Sequence, residues 1–153
     1  MDIGSGTGFP TANLSNFHPH AFVFDGVECA SMEGLLQSLK FDKPHIQVEV
    51  CKLVGLAAKR RGKNRNRAWK PRQTLWWKGV AIRRDSREYQ ELLDRAFDAL
   101  ATNASFQRAL LATQQSALTH TIGRTNSHDT VLTVNEFCSR LLKIRARLQC
   151  QRA

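Results

Sequence analysis

The stretch LSNFHPHAFVFDGVECASMEGLLQSLKF, residues 14–41, decides the fold class. Phe22 to Phe24 and Val27 to Cys29 are short apolar runs on either side of Asp25-Gly26, and a DG pair in that setting predicts a β-hairpin. Directly after it, Ser31 is placed as an N-cap, and Leu35, Leu36 and Leu39 fall on one face of the helix that it starts. A hairpin that runs straight into a helix points to an α+β arrangement.

Outward from this stretch the pattern is mostly helical. The residues before it, rich in Gly and Ser up to Asn13, read as a loop over 1–13. Pro44 suits a first helical turn, and Ile46, Val50, Leu53, Val54 and Ala57 continue at helical spacing until Gly62 and a basic segment stop them. Leu75 to Ile82, rich in Trp and branched residues, fits either a strand or an ordered connector. Asp85 with Glu88 resembles a capping box, and a long helix follows through Leu92, Leu93, Ala96, Phe97 and Leu100. A shorter helix is expected around Phe106 to Ala112. Thr133 with Glu136 marks the start of a last one using Phe137, Leu141, Ile144 and Leu148. The expected fold is a helix-rich α+β single domain over 1–153, with a small N-terminal β-hairpin and a short sheet.

Composition narrows the class. With 153 residues, 42% apolar and 24% charged, the chain is long enough for one domain with a sizeable core and is neither disordered nor fibrous. No apolar run approaches the roughly 18 to 20 residues of a membrane span, and MDIGSGTGFP lacks the features of a signal peptide. A soluble cytoplasmic protein with no membrane partner is expected. Cys29, Cys51, Cys138 and Cys150 are too widely spaced for a metal-binding pair and read as reduced thiols. No metal or cofactor is assigned.

Charge is the informative quantity. Eight of the net ten positive charges lie in residues 59–72, as Lys59, Arg60, Arg61, Lys63, Arg65, Arg67, Lys70 and Arg72, with no acid among them. Such a run holds phosphates by charge-assisted hydrogen bonds, which favours a nucleotide or nucleic-acid partner; the alternative is a solvated loop. Trp69, Trp76 and Trp77 stand in or just after the run. They are either stacking platforms for bases or core residues beneath it. Glu33 falls in the first turn of its helix, where backbone N–H groups favour a carboxylate. Ordinary helix-start chemistry accounts for it as well as catalysis does, and Asn16, Lys40 and His120 are open to the same structural reading.

Leu14-Ser15-Asn16-Phe17, Ala21-Phe22, Asp25-Gly26, Ser31-Met32-Glu33 and Gln37-Ser38-Leu39-Lys40-Phe41 together resemble, in order and spacing, the N-terminal signature of the YbiA-like, or NADAR, family. Looser matches continue through Ala57-Ala58, Arg60-Arg61-Gly62, Asn103, Phe106, Leu110 to Thr113, Leu118 and Leu141 to Arg145. The family's Asp-x-x-Trp-Gly stretch has no counterpart, since no Trp follows Asp129.

The resemblance implies a compact α+β fold and an N-glycosidase that cleaves ribose from nitrogen in an ADP-ribosyl conjugate or a phosphorylated ribosylated base. It places Glu33 as the carboxylate beside the anomeric carbon, and Asp129 or His120 as the acid for the leaving nitrogen. It gives Ser15, Asn16, Phe17, Lys40, Arg60, Arg61, Trp69, Trp76 and Trp77 to a phosphorylated, nucleotide-like substrate. Two other readings stand beside it. One is a noncatalytic protein that binds or sequesters a nucleotide; the other is a nucleic-acid-binding module that uses residues 59–72.

Overall fold

In the computed structural model, which describes residues 1–152, β1 (Phe22–Phe24) and β2 (Val27–Cys29) pair as the expected antiparallel hairpin, Phe24 opposite Val27. Asp25 and Gly26 take φ of 48° and 79°, the left-handed pair of a tight primed turn. Strand alternation sends Phe22 and Phe24 into the core and leaves Val23 exposed. α1 (Met32–Ser38) begins where the sequence places it: Ser31 Oγ accepts from the Gly34 N–H at 3.1 Å.

The single helix expected from Pro44 through Ala57 is two, α2 (Pro44–Cys51) and α3 (Gly55–Lys63). The break has a tertiary cause. The Ala30 N–H donates to the Cys51 carbonyl and Ser31 Oγ to the Leu53 carbonyl, both at 2.9 Å, so these acceptors are turned toward the start of α1. Gly34 permits the approach, because a Cβ there would stand 2.6 Å from the Leu53 carbonyl oxygen. The basic segment is accordingly mostly helical. It runs through the second half of α3 and the short α4 (Asn66–Trp69), with Arg65 in the turn between them and Lys70 and Arg72 in the turn that follows.

Leu75 to Ile82 resolves into a second hairpin, β3 (Thr74–Trp77) with β4 (Val80–Arg83), turning on Lys78-Gly79. The Trp76 N–H donates to the Leu39 carbonyl at 2.8 Å. Buried Gln47 donates to the carbonyls of Ser38, Phe41 and Trp76 and accepts from the Lys78 N–H. Together these bonds hold the end of α1 against the second hairpin.

α5 (Arg87–Leu100) is capped by Ser86, which accepts from the Tyr89 N–H at 3.1 Å, rather than by Asp85, which turns back to Arg83. α6 (Ala104–Ala112) is capped by Asn103. α7 (Val134–Arg152) opens on a reciprocal capping box. Thr133 Oγ1 accepts from the Glu136 N–H at 3.1 Å, and Glu136 accepts from the Thr133 N–H at 2.8 Å. Glu136 also takes both ends of the buried Arg84 guanidinium, at 3.0 and 2.6 Å, tying the second hairpin to this helix start.

The core is one contiguous cluster that includes Leu35, Leu39, Trp69, Leu75, Tyr89, Phe97, Phe106 and Phe137. The four cysteines are free thiols, three of them buried. The first 13 residues are not wholly loop. Asp2 bridges to Thr119, and a turn of 3₁₀ helix covers Ala12–Leu14. Among the described residues no helix is long and apolar enough to cross a membrane.

Candidate functional site

A cleft of about 570 Å³ opens where the Ser15–Phe17 loop, α1, α3 with α4, and the segment from His120 to Thr133 meet. α1 supplies one wall through Glu33, Leu36 and Gln37, with Lys40 just past its end. Glu33 is fixed by its main chain: its N–H donates to the Asn16 carbonyl at 3.0 Å, and Ser15 Oγ holds the loop by accepting from the Phe17 N–H at 3.2 Å. The SNF motif is thus a turn that closes on the helix start.

The Glu33 side chain accepts from Gln37 Nε2 at 2.8 Å, one helical turn on. Burial raises its pKa above the ordinary carboxylate value; the Gln37 bond and the positive charges of Lys40 and Lys59 pull in the other direction without cancelling the rise. The other side of the Gln37 amide faces Gly62 on α3. Gln37 Oε1 is buried without a hydrogen-bond partner, and a Cβ at position 62 would lie 1.9 Å from it. Lys40 is buried and donates to Asn66 Oδ1 at 2.8 Å, an oxygen that also accepts from Trp69 Nε1 at 3.0 Å. Burial pushes the Lys40 pKa down to about 8, although Glu33 works to raise it.

Four cations line the α3 and α4 side of the cleft: Lys59, Arg60, Lys63 and, beyond Asn66, Lys70. The spacing 59, 63, 66, 70 follows one helical stripe, a signal in the sequence that a reading of the segment as a loop passes over. Of the eight cations in residues 59–72, only Arg65 has a carboxylate within 4 Å among the described residues, Asp42 at 3.9 Å. His120, Ile122, Arg124 and Asp129 also line the cleft. His120 Nδ1 lies 2.8 Å from the Ile3 carbonyl, an acceptor only, so Nδ1 carries the proton and the neutral ring keeps its lone pair on Nε2. Its ring meets Phe137 edge-on.

The structure therefore brings Ser15, Asn16, Phe17, Glu33, Lys40, Arg60, His120 and Asp129 around one cleft. It leaves out four residues that the sequence reading gave to the substrate. Trp69 is fully buried, with its N–H spent on Asn66. Trp77 is buried, stacks on Phe24 and donates to Asp25 at 2.8 Å. Trp76 is half-buried, packed against the core with Arg65 over its ring. Arg61 is exposed and lies over Phe41. None of the four lines the cleft. Leu36, Gln37, Leu56, Ile122 and Arg124 line it without having been singled out from the sequence, because their neighbours there come from distant parts of the chain.

Comparison with known proteins places these features. The chain is 37% identical over 150 residues to a 17.1 kDa protein of Enterobacteria phage T4, encoded in the Gp30–rIII intergenic region; the match covers 97% of this chain and 98% of that one. The solved structure of Escherichia coli YbiA superposes with a TM-score of 0.63, covering 99% of this chain and 86% of YbiA at 17% identity. The fold is that of YbiA, as the residue 14–41 signature implied. A family described as bacteriophage protein GP30.3 matches residues 8–146, and the chain belongs to that family.

Proposed function

We propose that the protein is an N-glycosidase that hydrolyses a ribose–nitrogen bond in an ADP-ribosyl conjugate or a phosphorylated, ribosylated base. The observation that carries this reading is the half-buried carboxylate of Glu33 in a cleft whose remaining charge is largely positive. As the C1′–N bond breaks, its electron pair leaves with the nitrogen and C1′ becomes oxocarbenium-like. A carboxylate at C1′ stabilises that charge and accepts a proton from the water whose oxygen bonds to C1′. The leaving nitrogen takes a proton from a donor such as His120, in its imidazolium form, or Asp129. Lys59, Arg60, Lys63 and Lys70 hold phosphate, and Asn16 faces the sugar. The direct test is incubation with ADP-ribosylated guanosine, ADP-ribosylated DNA and NAD, with mass spectrometry of the products. Release of ADP-ribose by the protein and its loss in Glu33→Gln support the reading; binding without release supports a sequestering protein instead.

Two expected results refine it. Lys40 neighbours Glu33 and loses its charge at about pH 8, so kcat/KM should fall on the alkaline side with an apparent pKa near that value. Lys40→Arg, which stays charged, should move the fall upward; an unmoved alkaline limb removes Lys40 from the assignment. Second, Arg60→Ala with Lys63→Ala should raise KM severalfold and flatten its salt dependence, with kcat little changed, whereas Arg61→Ala alters neither constant. A fall in kcat equal to that of Glu33→Gln would mean that these cations act on the transition state.

One observation favours a second reading. Arg67 and Arg72 are exposed, make no ion pair among the described residues and lie outside the cleft, a distribution suited to a nucleic-acid strand continuing past the cleft. A steep fall in oligonucleotide affinity with salt, made shallower by Arg67→Ala with Arg72→Ala, would support it.

A further inference from the structure

With no tryptophan on its lining, the cleft needs another place for the base, and the exposed apolar residues supply one. Leu56 is 50% exposed and Ile122 76% exposed, and both line the cleft from segments distant in sequence. Gly55 brings Leu56 beside Phe17, since a Cβ at Gly55 would lie 3.8 Å from the Phe17 ring. Phe17 and Leu56 thus sit together at the first turn of α3, and Ile122 is a further apolar residue on the lining. The pair sits at one end: the first turn of α3 carries Leu56, and the cations Lys59, Arg60 and Lys63 follow along the same helix. From Leu56 to Lys63 the helix advances roughly 10 Å.

α1 runs with the same polarity. Glu33, at its start, is bonded through its N–H to the residue before Phe17, while Lys40, just past its end, is bonded to Asn66 beside the cationic stripe. The cleft therefore has a direction, with an apolar end, a carboxylate close to it, and a cationic end about two helical turns away.

Building on the glycosidase reading, we propose that Phe17, Leu56 and Ile122 form the subsite for the leaving heterocycle. The substrate lies with its base between Leu56 and Ile122 against Phe17, its C1′ at Glu33 and its 5′-phosphate toward Lys40, Lys63 and Lys70. A planar, largely apolar ring covers exposed aliphatic surface on both faces, and a phosphate answers Lys63 and Lys70, which have no carboxylate within 4 Å among the described residues. The reverse orientation would bury phosphate against Leu56 and Ile122 and leave the base among lysines.

The experiment compares two probes that differ only in the base, guanosine 5′-monophosphate and ribose 5-phosphate, by isothermal titration against the Glu33→Gln protein. Guanosine 5′-monophosphate should bind about tenfold more tightly than ribose 5-phosphate. Leu56→Ser with Ile122→Ser, both at exposed positions where folding is little at risk, should erase that advantage and leave the ribose 5-phosphate affinity unchanged. Lys63→Ala with Lys70→Ala should weaken both probes alike. If both probes bind and the apolar pair changes nothing, or changes both equally, the subsite and the orientation are overturned. If neither probe binds the parent or the Glu33→Gln protein, the nucleotide site itself is refuted together with the subsite, a result distinct from the loss of orientation alone.

Discussion

Glu33→Gln is expected to lower kcat by about 10² to 10³ or more, the scale of removing one charge-stabilising group from a transition state, while the fold survives. Gln matches the shape of Glu, and its carbonyl oxygen can still accept from Gln37 Nε2, a bond of 2.8 Å in the parent. What is lost is the negative charge that, in the proposed reaction, faces the oxocarbenium carbon. The same exchange should be neutral or stabilising in thermal melts, with a definite pH dependence. Because burial raises the Glu33 pKa in the folded state, the stability linked to its proton is fully present below the ordinary carboxylate range. It is lost as pH rises through the raised value. Gln has no such loss, so the melting temperature of the variant should gain on that of the parent as pH rises from the ordinary carboxylate range through the raised value. Unchanged turnover with ADP-ribosylated guanosine would remove the catalytic assignment, and a collapsed melting transition would make the residue structural.

The largest stability effect is expected from Arg84→Ala, at about 3 to 5 kcal/mol in urea unfolding. Arg84 is 1% exposed, gives two bonds to Glu136, donates through Nε to the Thr130 carbonyl at 2.9 Å and lies over the Tyr89 ring. Alanine leaves a largely buried carboxylate at the head of α7 without its cation and opens a cavity. Burial works to raise the Glu136 pKa, but Arg84, Gln90 and the Thr133 N–H together hold it below the ordinary value. Its contribution is therefore complete above the carboxylate range and lost as pH falls through the lowered value, so the parent and the variant should converge in stability on acidification. Since Thr130 to Thr133 line the cleft, KM should also rise. A loss of less than 1 kcal/mol at pH 7 would mean that the pair is replaceable by solvent.

The features that could be read in the sequence are those written in neighbouring residues. Asp25-Gly26 fixes a turn by its own backbone freedom, and Ser31 and Thr133 with Glu136 cap helices three residues away, so both kinds of signal survive without knowledge of the rest of the molecule. The break between α2 and α3 does not, because it depends on Ala30 and Ser31 taking carbonyls from more than twenty residues downstream. The second hairpin escaped as a definite prediction because its turn is Lys78-Gly79, and the Lys adopts positive φ without the local side-chain chemistry of Asp or Asn. Site residues divide in the same way. Glu33, Asn16 and Lys40 come from one continuous signature, whereas the aromatics chosen for stacking were judged by chemistry alone. Nothing in a Trp-rich run states whether its rings face solvent, and here the buried rings of Trp69 and Trp77 spend their N–H groups on Asn66 and on Asp25 at the first hairpin's turn.

The contact between Gln37 and Gly62 has a consequence for how such a chain can diverge. A side chain can be gained at 62 only as the one at 37 is shortened, because the amide already fills the space that a Cβ would take. Shortening it deprives Glu33 of its only side-chain hydrogen-bond donor among the described residues, and the carboxylate's acidity then rests on the charges of Lys40, Lys59 and His120. Positions 37 and 62 are thus one heritable unit rather than two. Across relatives, substitutions there should appear in pairs, and each pair would retune the pH at which the site works.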